Sequence, residues 1–132
     1  MMAITAALIW STGAFAADKV VYHINDSDDA SGLLRNIGNH LDVDPTAHIV
    51  VVSHSKGVDF LMDKAEDKNG NPYNIRVEQL VAQGVTFDVC EKTLKGRKME
   101  KAQFIPEVKF VPSGVAEITK LQAREGYAYL KP

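Results

Sequence analysis

The chain of 132 residues contains a single cysteine, Cys90, which stands where a strand pattern ends. Val85, Phe87 and Val89 alternate with polar residues, and this period of two is typical of a β-strand. The alternation stops after Cys90, so the pattern places the thiol at the carboxyl end of the strand. Ligands and reactive groups collect at that end in open α/β sheets. Cys90 is therefore the first candidate for a chemical function.

Two neighbours of Cys90 would favour its reactive form. The thiolate is the nucleophile, and its pKa falls beside cations or at a helix amino terminus. Lys92 follows two residues later, and a helix is predicted to begin near Thr93. An inert buried thiol fits the same residues equally well, because unpaired cysteine also packs as a small hydrophobic side chain.

A second polar segment, Ser53-His54-Ser55-Lys56-Gly57, follows the most apolar strand pattern and approximates the G-x-S-x-G turn of serine hydrolases. Those enzymes carry their catalytic histidine after the nucleophile in chain order. All four histidines precede Ser55, namely His23, His40, His48 and His54. The order of these residues argues against a serine hydrolase.

Other ligand classes have little support. The chain has neither a G-x-G-x-x-G nor a G-x-x-x-x-G-K-[ST] motif, so no nucleotide cofactor is expected. The formal net charge of −2 predicts no attraction to nucleic acid. His23, His54 and Cys90 could approach one another at strand ends, with ligand chemistry that suits copper or zinc. No paired spacing supports such a site, so neither a metal nor a cofactor is predicted.

Strand and helix patterns alternate along the chain. Strands are predicted at 19–24, 48–54, 85–90, 108–111 and 127–130. Helices are predicted around 33–41, in a short stretch within 58–65, from a cap at Asn74 to Gly84, in part of 95–101 where Gly96 interrupts, and from a cap at Ser113 to Gly126. This alternation predicts an α/β fold in which helices cover both faces of a parallel sheet.

In such a sheet, four polar loops meet at one edge. They begin at Asn25, at Ser53, at Cys90 and at Ser113. We therefore expect a pocket around Cys90, and the predicted binding residues are Asn25, His54, Lys92 and Ser113.

Residues 1–16 are predicted to be a signal peptide. An apolar run from Met2 to Trp10 leads to Ala14-Phe15-Ala16, which has the A-x-A form of a cleavage site. The run is too short to span a membrane. The start lacks the usual positive charge, so a structural amino-terminal helix stays open as an alternative. The expected protein is a single domain, 17–132, that is periplasmic or secreted.

Three stretches resemble the DsrE/DsrF-like family of small α/β sulfur-relay proteins. They are 84–90 with Leu94, 113–122 and 125–129. The resemblance implies a three-layer α/β/α sandwich around a five-stranded parallel sheet, of the flavodoxin or Rossmann kind. It also implies homotrimers or homohexamers, and a persulfide carried on the cysteine that Cys90 matches.

Two functions follow as expectations. In the first, the protein handles sulfur through Cys90 as a sulfurtransferase or persulfide carrier, with His54 and Asn25 lining the pocket. The chain has no second cysteine, so sulfur would pass to or from another protein or a small thiol. In the second, the chain is a non-catalytic exported module for binding or assembly, whose ligand would be a small molecule or a metal. Neither function involves nucleic acid or a membrane span after removal of the signal.

Overall fold

A five-stranded parallel sheet forms the centre of the protein, whose structure, a computed structural model, describes residues 16–132. The strands are β1 (Lys19–Asp26), β2 (His48–Lys56), β3 (Thr86–Cys90), β4 (Lys109–Val111) and β5 (Ala128–Leu130). They lie in the order β4-β3-β2-β1-β5, and each neighbouring pair is parallel. The predicted fold class is confirmed. Apart from Ala16, the predicted signal peptide lies outside the described residues.

Helices cover both faces of this sheet. They are α1 (Ala30–Val43), α2 (Tyr73–Ala82), α3 (Glu91–Arg97) and α4 (Gly114–Glu125), with 3-10 turns at Ser27–Asp29, Asp59–Leu61 and Lys101–Gln103. From β1 to β4 the chain advances in one direction, so right-handed crossovers put α1, α2 and α3 on the same face. The return from β4 to β5 runs in the opposite direction, and it therefore places α4 on the other face.

The two faces have separate apolar clusters. Leu33, Val77 and Leu94, one each from α1, α2 and α3, belong to the larger cluster. Ile118 and Leu121 of α4 pack with strand residues in the smaller one. Because side chains alternate along a strand, the α4 face of β1, β2 and β3 carries three polar groups near the carboxyl ends of the strands. These are His23, His54 and Cys90.

The predicted cap at Asn74 is wrong. Helix α2 begins one residue earlier, at Tyr73, and its N-cap residue is Pro72, which provides no side-chain hydrogen bond. The backbone N–H of Tyr73 donates instead to the carbonyl of Ala65 at 3.0 Å. Because a loop carbonyl satisfies this amide, no capping side chain is needed there.

The predicted interruption at Gly96 is also wrong. Helix α3 continues through Gly96 to Arg97 and ends at Lys98, which has a left-handed φ of 55°. A glycine costs a helix only about 1 kcal/mol, and the buried Leu94 anchors this one to the core. Helix α3 also begins at Glu91, earlier than predicted, so Cys90 is its N-cap residue.

The end of β2 is tied closely to β1. A Cβ atom at Gly57 would collide with the backbone carbonyl of Ile24, so only glycine fits where the chain leaves β2. The register between the two strands shifts between Ile24 and Asp26. Within the described part of the chain, no helix combines the length and apolar character needed to cross a membrane.

Candidate functional site

Cys90 lies where β3, α3 and α4 meet. It is the last residue of β3, and it is only 4% exposed. The first residue of α4, Gly114, packs directly above it: a Cβ atom at Gly114 would lie 3.3 Å from the Cβ atoms of both Cys90 and His54. The missing side chain lets the amino terminus of α4 reach both strand ends.

Two opposing effects act on the pKa of Cys90. Burial raises the pKa, because a thiolate loses hydration when it leaves water. The backbone N–H of Gly114, the hydroxyl and N–H of Thr93, and the N–H of Lys92 act in the opposite direction. The net effect lowers the pKa below its ordinary value. The Cys90 side chain forms no capping hydrogen bond at the start of α3. The three amides and the hydroxyl therefore stabilise mainly the thiolate.

A hydrogen-bond network fixes the position of Thr93. Its Oγ1 accepts from the backbone N–H of Ser55 at 2.9 Å, which leaves its own hydrogen available for the Cys90 sulfur. Arg97 links the end of β2 to the turn after it, donating to the Ser55 carbonyl at 2.9 Å and to Asp59 Oδ1 at 2.7 Å. These contacts stabilise Ser55 in a left-handed conformation with φ of 54°. Helix α3 thus orders the end of β2 and the turn that follows it.

Next to Cys90 on the α4 face lies a row of hydrogen-bonded side chains. His54 Nδ1 is 2.9 Å from Ser55 Oγ, and His54 Nε2 is 2.6 Å from His23 Nε2. His23 Nδ1 is in turn 2.6 Å from the hydroxyl of Tyr129. The row extends from β2 across β1 to β5.

Both histidines have lowered pKa values. For His23, burial is the main cause, followed by the charges of His54 and Lys131. For His54, burial again comes first and the charge of Lys131 second. Both rings are therefore neutral at pH 7.

Among the predicted binding residues, His54 and Ser113 lie near the thiol. A Cβ atom at Gly114 would lie as close to the Cβ of His54 as to that of Cys90. Ser113 is the N-cap residue of α4, and its Oγ accepts from the N–H of Ala116 at 3.4 Å. Ser113 therefore acts through the helix, which presents the N–H of Gly114 to the sulfur.

The side chains of the other two predicted binding residues, Lys92 and Asn25, lie away from the thiol. Lys92 favours the thiolate through its backbone N–H, whereas its exposed side chain lines a separate groove of about 640 Å³ between α3 and Pro112. Asn25 is exposed at the irregular end of β1, two strands away from Cys90. The structure therefore does not bring Asn25 to the thiol.

Sequence reasoning missed three contributors: Thr93 as a donor, Gly114 as a close contact and Tyr129 as the partner of His23. Alternation along the last strand could have put Tyr129 on the same face as His23, but only the strand order makes them neighbours. Within residues 16–132, no group of three or more His, Cys, Asp or Glu side chains is arranged to hold a metal ion. His23 and His54 do meet, but Cys90 does not join them in such a group.

Comparisons with known proteins show the family and the fold. A model of the DsrE/DsrF-like family matches residues 6–132. The solved structure of MTH1491, a protein of unknown function from Methanobacterium thermoautotrophicum, is 32% identical with a TM-score of 0.78, covering 87% of this chain and 99% of that one. The YchN protein from E. coli shares the fold at 16% identity and a TM-score of 0.67, covering 87% and 97% of the two chains. No curated protein sequence matches the chain. From the family match and the shared fold, the chain belongs to the DsrE/DsrF-like family.

Proposed function

We propose that this protein handles sulfur and carries it as a persulfide on Cys90. Its family is associated with sulfur relay in general. The observation that carries the proposal is the environment of the thiol: three backbone amides and one hydroxyl lower its pKa although burial raises it. An inert structural cysteine has no need of such groups, whereas a nucleophilic one gains thiolate from them.

The proposed step is an exchange at sulfur. The Cys90 thiolate attacks the outer sulfur of a hydropersulfide, R–S–SH, so that a new S–S bond forms and the original S–S bond breaks. The products are Cys90–S–SH and the thiolate RS⁻, which takes a proton from solvent. The chain has one cysteine, so the sulfur is passed on to a thiol of another molecule, either a protein or a small thiol.

Intact-mass analysis tests this proposal. The folded protein is exposed to inorganic polysulfide, desalted and treated with an alkylating agent. We expect the mass of one additional sulfur atom on the wild-type chain and none on Cys90→Ser. A wild-type chain without the added sulfur atom, alkylated or not, would refute persulfide formation.

A non-catalytic exported module for binding or assembly is the second candidate, because Cys90 is only 4% exposed. It predicts that a chromogenic disulfide reacts with Cys90 only in denaturant. The sulfur-handling proposal predicts reaction in the folded state as well. Comparing the reaction rates of Cys90 in the folded and in the denatured protein decides between the two functions.

We also propose that the protein is exported and assembles as a homotrimer or homohexamer. Exposed apolar side chains on the edge strand β5 support assembly: Tyr129 is 40% and Leu130 42% exposed. Light scattering coupled to size exclusion measures the assembly, and a monomer would contradict it. Cell fractionation with amino-terminal sequencing tests export, for which a chain beginning at Ala17 is the expected product.

A further inference from the structure

We propose that His23 and His54 form a binding site for a transition-metal ion that prefers imidazole, Zn²⁺ or Cu²⁺, with the two Nε2 atoms as its protein ligands. The two residues come from neighbouring strands, β1 and β2, and both lie on the α4 face. The site is distinct from the Cys90 thiol, and the inference does not depend on sulfur chemistry.

The hydrogen bonds of the two rings support this proposal. Their Nε2 atoms face each other at 2.6 Å, and the rings meet edge to edge, with planes inclined by 25° and centroids 4.8 Å apart. Each Nδ1 lies beside a hydroxyl oxygen, that of Tyr129 for His23 and that of Ser55 for His54. Metal-bound histidines are commonly oriented in this way, by an oxygen that accepts from the second ring nitrogen.

The positions of the hydrogens explain why a cation fits. Without metal, one Nε2 must carry the hydrogen that joins the two rings. If both rings instead carry their hydrogen on Nδ1 and donate to Tyr129 and Ser55, two lone pairs point at one position between the rings. A metal ion then replaces the shared hydrogen, which moves to Nδ1 of the same ring, so neither ring changes its charge.

The geometry is compatible with binding after a small movement of the rings. Neutral imidazole is the form that binds metals, and each Nδ1 already has a hydroxyl partner. A zinc–nitrogen bond is about 2.0–2.1 Å long, so two Nε2 atoms on one tetrahedral ion lie roughly 3.3 Å apart. The two Nε2 atoms, which are 2.6 Å apart, must therefore separate by about 0.7 Å when the ion enters.

The site would be open on one side. Within residues 16–132, no third His, Cys, Asp or Glu completes it, so water molecules fill the remaining positions. Cu²⁺ should bind more tightly than Zn²⁺, as expected for a nitrogen site. The charge of Lys131 acts on both rings and opposes the ion. Lys131→Gln is therefore expected to tighten binding.

Metal titration of the untagged protein tests the site. Cys90→Ser is the parent, so that the thiol cannot bind the ion. We expect one Zn²⁺ or Cu²⁺ per chain by calorimetry, and binding weaker by about tenfold or more when His23→Asn or His54→Asn is added. His48→Asn is the matched control, because His48 is exposed at the opposite end of β2. Equal affinity in the parent and both histidine variants would overturn the proposal.

A second measurement leaves the histidines intact. In nitrogen-15 NMR spectra of the Cys90→Ser parent, Zn²⁺ is expected to shift the Nε2 signals of His23 and His54 together, while those of His40 stay in place. Unchanged Nε2 signals would overturn the site even if a histidine variant failed to fold. The metal tests use a parent that cannot form a persulfide, so a negative result there does not count against the sulfur proposal. A negative result in the persulfide test likewise does not count against the metal site.

Discussion

The hydroxyl of Thr93 links the end of β2 to the thiol of Cys90. Its oxygen accepts from Ser55, and its hydrogen favours the Cys90 thiolate. The hydroxyl contributes to charge stabilisation at a buried position, where water contributes little. Such contacts matter more in a low-dielectric setting than at the surface.

Thr93→Val should raise the pKa of Cys90, because valine keeps the shape and removes the hydroxyl. The thiolate fraction at pH 7 then falls, and alkylation by iodoacetamide slows a few-fold. The pH profile of the alkylation rate measures this shift. Thr119→Val is the control, since its hydroxyl donates to the Val115 carbonyl on the exposed side of α4. An unchanged profile in Thr93→Val would show that the hydroxyl does not act on the sulfur.

At the scale of the element, α4 is positioned by its first two residues. Gly114 allows close contact with β2 and β3, and Ser113 caps the helix. These two features together place the N–H of Gly114 where it lowers the pKa of Cys90.

Gly114→Ala should displace the start of α4, because the new Cβ would lie 3.3 Å from two strand Cβ atoms. We expect a loss of about 1–3 kcal/mol in the free energy of unfolding and slower alkylation of Cys90. Gly96→Ala is the matched control: a Cβ there meets nothing within 4 Å, and alanine in mid-helix should stabilise by about 0.5–1 kcal/mol. Urea denaturation measures both, and an equal effect at the two positions would contradict close packing at Gly114.

Ser113→Ala should cost about 1 kcal/mol of unfolding free energy, or less, because its capping distance of 3.4 Å is long. Ser113→Thr keeps the hydroxyl and should restore most of the loss. If threonine is as destabilising as alanine, the capping hydrogen bond is not what Ser113 contributes.

At the scale of the whole molecule, one buried carboxyl group makes stability depend on pH. Burial, and then the charge of Glu117, raise the pKa of Asp88 to about 6, while Lys109 and Lys120 act in the opposite direction. The folded protein therefore holds this proton more tightly than the unfolded chain. This contribution to stability is complete below the ordinary pKa of 3.8 and is lost as the pH rises through about 6.

Asp88→Asn should consequently gain stability relative to the wild type as the pH is raised from acid to neutral values. The amide stays uncharged, so it avoids the cost of a buried carboxylate. Urea denaturation below and above pH about 6 measures the difference in unfolding free energy between Asp88→Asn and the wild type. Asp42→Asn, at an exposed position on α1, is the control. A stability difference that is independent of pH would show that Asp88 does not titrate as described.

The sequence by itself determined the strands, the α/β class and the place of Cys90 at a strand end, because local periodicity encodes which side chains are buried. It failed where a loop carbonyl replaced the cap at Asn74, and where the anchoring of Leu94 outweighed Gly96. Only the tertiary structure decided the neighbours of the thiol. The order β4-β3-β2-β1-β5 brings His54 beside Cys90 and Tyr129 beside His23, and it leaves Asn25 outside. These contacts join residues far apart in the chain, and no local pattern carries information about which strands become neighbours.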